Sequence, residues 1–146
     1  MPAPRVSTEV PLSRAEWDLL VRLPRHVLIA ARAAEPDPAQ RSVAEGLAGI
    51  AAIAAGRDTP SRLVRDVVAE IYTESSADDL VVAEDPAGRV ADVAGVLAEC
   101  RVAAHLLRHR VLPADAAAYR RWIEDVAAIQ RRVPDRFLDE LHRALE

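Results

Sequence analysis

Residues 42–56, SVAEGLAGIAAIAAG, constrain the fold more than any other stretch of the chain. After Glu45, eleven residues pass without a charge, and most of them are Ala or Gly. Val43, Leu47, Ile50 and Ile53/Ala54 recur at helical spacing and make an apolar ridge, while the other faces carry only small alanines. A helix apolar all round is a buried helix, and small side chains let neighbouring backbones approach closely. At about 14 residues the stretch is too short for a bilayer, which takes roughly 20. It is therefore predicted to be the buried central helix of an all-α compact bundle of five to seven helices, with Leu47 and Ile50 fully enclosed.

The totals agree with that class. Across 146 residues, 51% are hydrophobic but only 3% aromatic. Such Ala-rich material packs as helices more readily than as sheet. The net charge of −4 argues against non-specific nucleic-acid binding. All 19 basic residues are Arg; the absence of Lys and Asn, with the excess of Ala, reads as the codon bias of a GC-rich bacterial genome. A lone Cys100 excludes an internal disulfide and fits a reducing cytoplasm, and no signal-peptide pattern opens the chain.

Residues 1–11 hold three prolines and no periodicity, which predicts an extended or disordered arm before a single helical domain over 12–146. Ser13 and Glu16 form a capping box with Leu12 as its staple. The helix they open meets Pro24, which either kinks or restarts it, and runs on to about Glu35. Asp37-Pro38 reads as N-cap and N1 of the central helix, and Gly56 as its C′ residue. Thr59-Pro60 repeats the starting device for a helix to Glu74 that buries Leu63, Val64, Val67, Val68 and Ile71. An acidic connector follows, and Asp85-Pro86 opens a helix to about residue 110 whose stripe is Val90, Val93, Leu97, Cys100, Ala104, Leu107 and Val111. Pro113 starts the next, striped by Tyr119, Trp122, Val126, Ile129 and Val133. Pro134 ends it before a short final helix. DPAQRSVAEGLAGI (37–50) echoes DPAGRVADVAGV (85–96), as a duplicated helical hairpin would.

Few residues advertise chemistry. His105 and His109 stand at i,i+4, the spacing that aims two imidazoles at one metal. Arg101, Arg108 and Arg110 surround them and no carboxylate lies one turn away, so a solvated basic face suits an anion or acidic partner better. Arg120 and Arg121 join Arg101, His105, Arg108 and His109 as candidate contacts, and are also placed to pair with Glu124 and Asp125 at i,i+4. Glu74, Asp78, Asp79, Glu84 and Asp85 offer oxygen ligands without the EF-hand spacing. Cys100 lies on an apolar stripe and reads as core. Glu45 is either an exposed first-turn acid or a partly buried partner of an Arg. No cofactor is expected and no catalytic residue is assigned.

VLIAARAAEPDPAQRSVAE (27–45) resembles the helix–acidic turn–helix hairpins of the TerB-like (tellurite-resistance-type) domain family. AAAYRRWIEDVAAI (116–129) is similar to late helices of that group. Asp37-Pro38 stands where the family has Asp-Gly. The resemblance implies a bacterial helical bundle in stress- or envelope-associated complexes, and it suggests turn carboxylates as metal ligands. The expectation is a non-catalytic binding or scaffolding module of a cytoplasmic complex, with a protein partner, no membrane span and no nucleic acid. A homodimer is expected through apolar surface left beside the two long stripes at Val96, Val102, Leu106 and Ile123. The alternative is a metal-binding bundle using Glu35, Asp37, Glu45, Asp85 and Asp92.

Overall fold

In a computed structural model, residues 12–34, 43–74, 93–130 and 133–146 are described, and all that follows concerns them. They form six α-helices and no strand: α1 (Arg14–Ala33), α2 (Val43–Ala54), α3 (Arg62–Glu74), α4 (Val93–Arg110), α5 (Pro113–Ala128) and α6 (Asp135–Leu145). A 3-10 turn, Ala55–Asp58, continues α2. The expected all-α bundle is the fold. The 1–11 arm, the Asp37-Pro38 and Asp85-Pro86 helix starts and most of the acidic connector lie outside the described residues.

The helix at the centre is α1. Its N-terminus carries the full capping box: Glu16 N–H donates to Ser13 Oγ at 3.1 Å and Ser13 N–H to Glu16 Oε1 at 2.8 Å. Leu12 is buried as the staple. Pro24 does not restart the helix, which runs through it to Ala33. Proline removes the N–H that would reach the carbonyl four residues back, here that of Leu20. Tyr119 on α5 supplies the missing donor, its hydroxyl bonding Leu20 O at 2.7 Å. Around this point Trp17, Leu20, Leu23, Val27 and Ala30 are fully enclosed, with α2, α3, α4 and α5 packed against α1.

The sequence places α2 wrongly. Its enclosed side is Gly46, Gly49, Ile50 and Ile53, whereas Leu47 is 52% exposed and Ala44, Ala51 and Ala55 face solvent. The glycines decide the rotation. A Cβ on Gly49 would lie 2.2 Å from Leu28 Cδ1, and one on Gly46 would lie 2.7 Å from Arg32 Nη1. These two positions let α2 sit close on α1, and that turns Leu47 away from the core.

Gly56 is not a left-handed C′ residue either. It lies within the 3-10 turn, where a Cβ would meet Trp122 and Val68 at 2.8 Å. The Trp122 indole N–H donates to Ala52 O and Ile53 O, both at 3.2 Å. The α2 terminus is thus held by a tryptophan where a C′ glycine was expected.

For α3 the cap is Ser61, not Thr59. Val64 N–H donates to Ser61 Oγ at 3.3 Å, and that hydroxyl donates in turn to Asp115 Oδ1 at 2.7 Å, tying the starts of α3 and α5. Such a cap contributes roughly 1 kcal/mol. The five apolar residues assigned to the α3 face are buried. So is the described part of the α4 stripe from Leu97 to Val111, with Val93 packed at its edge. On α5, Tyr119, Trp122 and Val126 are buried, whereas Ile129 lies past the helix end and is exposed. Val96, Leu106 and Ile123, expected as leftover surface, are buried within the chain. Among the described residues no helix is long and apolar enough to cross a membrane.

Candidate functional site

The outward side of α4 gathers four of the six candidate contact residues. Gly95, Ala98, Val102, His105 and His109 are all exposed and follow steps of three and four, so they make one stripe along the helix. Val102 is 56% exposed, and Leu112, just beyond the helix, 41%. The imidazoles of His105 and His109 sit 4.5 Å apart between ring centres, tilted by 50°. Arg101 and Arg108, seven residues apart, stand exposed on one flank. Beside Arg101 a cleft of about 330 Å³ opens toward α6, lined also by Glu140, Arg143 and Ala144.

Two of the candidate arginines are engaged in the fold. Arg108 Nη1 donates to Glu146 O at 2.9 Å and Arg120 Nε to Leu145 O at 2.8 Å. Guanidinium groups on the last carbonyls of a helix satisfy orphan acceptors and oppose the negative end of its dipole. That use of Arg120 displaces the expected pair with Glu124, which instead accepts from His142 Nδ1. His142 Nε2 lies 3.2 Å from Glu146 Oε1. The Glu124 hydrogen bond and charge raise the His142 pKa, with Glu146 and Asp139 adding to it. Arg121 and Asp125 are both exposed.

The other flank of α4 turns inward and holds a cluster that the sequence reading missed. Glu99 Oε2 accepts from Arg22 Nε at 2.8 Å, and Glu99 Oε1 from His26 Nδ1 at 2.6 Å. A carboxylate only accepts, so the His26 proton is on Nδ1. Burial pushes the Glu99 carboxyl up, but the His26 and Arg22 hydrogen bonds and charges outweigh it and hold the group below its ordinary value. The available signal was Arg22 and His26 at i,i+4 on α1. A carboxylate-oriented imidazole can serve as a general base, but the neighbouring Cys100 faces the core. Burial and the nearby Glu99 charge push its thiol up to about 12. This cluster fastens α1 to α4.

Glu35, Asp37, Asp85 and Asp92 lie outside the described residues, as does the side chain of Glu45. Among the described residues no three His, Cys, Asp or Glu side chains converge as metal ligands. The chain matches no family model, no curated protein and no solved structure.

Proposed function

We propose that the chain is a non-catalytic helical binding module of a cytoplasmic complex and that it meets a protein partner through the outward side of α4. One observation carries this reading: Val102 is a large apolar side chain left in solvent on the same helix stripe as the paired, tilted imidazoles of His105 and His109. Exposed Arg101 is next to it in the chain, and Leu112 is exposed just past the helix end. Exposed apolar residues grouped with Arg and aromatic rings are typical of contact surfaces.

The test compares partner recovery from source cells by the wild-type chain, Val102→Asp and Leu47→Asp, followed by calorimetric titration of the purified partner. Loss with Val102→Asp alone supports the α4 surface. Loss with Leu47→Asp alone transfers the contact to the outer face of α2, and equal recovery by all three rejects a contact at either place.

A further inference from the structure

The outward stripe of α4 has the register of a coiled coil. Gly95, Ala98, Val102, His105 and His109 alternate steps of three and four, which makes them a and d positions. Arg101 and Arg108 then both fall at g. The e positions are Glu99, held by Arg22 and His26, and Leu106, which is buried. One flank of the seam is therefore closed by the bundle, and the other presents Arg101 and, one heptad on, the exposed Arg108, one nitrogen of which is already on Glu146 O. The small Gly95 and Ala98 let a second helix approach closely at the start of the seam, and Val102 begins its bulkier half.

A second copy fits this seam poorly. Antiparallel pairing sets g against g, and so Arg101 and Arg108 against themselves. Parallel pairing sets g against e, and the e residues of a copy are turned into its own bundle. A different helix with carboxylates seven residues apart on the facing flank offers acceptors to Arg101 and to the Arg108 nitrogens not used on Glu146 O. Near Arg101, Arg143 lines the same cleft, and the Glu140 carboxylate there already accepts from Arg136 Nε at 3.0 Å.

Resting on the binding-module reading, we infer that the partner element is an amphipathic helix of another protein, apolar at heptad spacing and flanked by Glu or Asp. The seam covers four turns, about 22 Å, so the contact is short and its affinity modest.

The probe is a fluorescein-labelled synthetic peptide of about 21 residues, three heptads, with Leu at a and d and Glu at e and g. Its control has Lys at e and g. Anisotropy should show saturable binding of the Glu peptide at tens of micromolar, with the Lys peptide at least about fivefold weaker, the size of two exposed ion pairs. Arg101→Glu, at an exposed position, should abolish that preference, because Arg108 still favours the Glu peptide, and Val102→Ser should weaken both peptides while leaving the melting curve unchanged. Equal binding of the two peptides, no binding of either, or a preference unmoved by Arg101→Glu overturns the inference. Should the inference fail in one of these ways while a native partner is still lost with Val102→Asp, the binding module stands and only the acidic helix is rejected.

Discussion

Tyr119 donates its hydroxyl to the Leu20 carbonyl at 2.7 Å, across 99 residues of sequence, because Pro24 cannot. Burial pushes the Tyr119 pKa well above the ordinary 10, with the Cys100 and Glu99 charges adding to it, so the hydroxyl keeps its proton at neutral pH. Tyr119→Phe removes only this donor and leaves a buried carbonyl unsatisfied, an expected loss of about 1–3 kcal/mol. In a Pro24→Ala background the helix supplies its own N–H, and the same change should cost distinctly less. A double-mutant cycle from urea midpoints measures the coupling. Additive costs would show that the hydroxyl does not replace the proline's missing donor.

The orientation of α2 gives an unusual order of sensitivities. Leu47→Ala removes an exposed side chain and should cost under about 0.5 kcal/mol, whereas Ile53→Ala at a fully buried site should cost about 2–5. Gly49→Ala drives a methyl into Leu28, a core residue, and should cost about 1–3 kcal/mol through overpacking. At Gly46 the obstacle is the far end of the Arg32 side chain, which can move. Gly46→Ala should therefore be neutral, or stabilise by up to about 1 kcal/mol through helix propensity. Denaturant midpoints for the four variants check the series.

Why the core of α3 was legible and the rotation of α2 was not follows from the residues themselves. Leu63, Val64, Val67, Val68 and Ile71 are bulky and buried while Arg62 and Arg65 are exposed on the opposite side, so only one rotation buries the apolar side. In α2 every side is apolar, and the choice among them rests on where α1 can come closest. Gly46 and Gly49 make that choice, and their contribution is the absence of a side chain, which a periodicity reading does not count. The Trp122 hold on Ala52 and Ile53, and the Arg22–Glu99–His26 cluster, join residues about 70 apart or more, beyond any local pattern. The α4 surface was half legible. Its basic character stood in the sequence, whereas the use of Arg108 and Arg120 on the last carbonyls of α6 depends on how α6 docks.

Cys100 should behave as a core thiol. It is fully enclosed, and burial with the nearby Glu99 charge pushes its pKa up to about 12, so thiolate is scarce near neutral pH. Labelling by a disulfide reagent should proceed only as fast as the protein opens, and should accelerate in step with unfolding as urea is added. Rapid stoichiometric labelling of the native chain would show that the α4 stripe does not face the core.

Two ionisable groups give the stability opposite pH dependences. The folded pKa of Glu99 is depressed, so its contribution is present above the ordinary value of 4.5 and is lost as pH falls through the depressed one. The folded pKa of His142 is raised, so its contribution is present below the ordinary 6.5 and is lost as pH rises through the raised one. The first group joins α1 to α4 in a partly buried setting. The second lies in full contact with solvent, where screening leaves little. Glu99→Gln should therefore destabilise clearly at neutral pH, and its difference from wild type should shrink on the acid side of 4.5. His142→Gln should differ slightly from wild type in mildly acidic buffer and merge with it in alkaline buffer. Thermal melts of the three proteins across pH separate the two limbs. If the His142→Gln difference instead grew with rising pH, the imidazole would not be held by the Glu124 and Glu146 carboxylates.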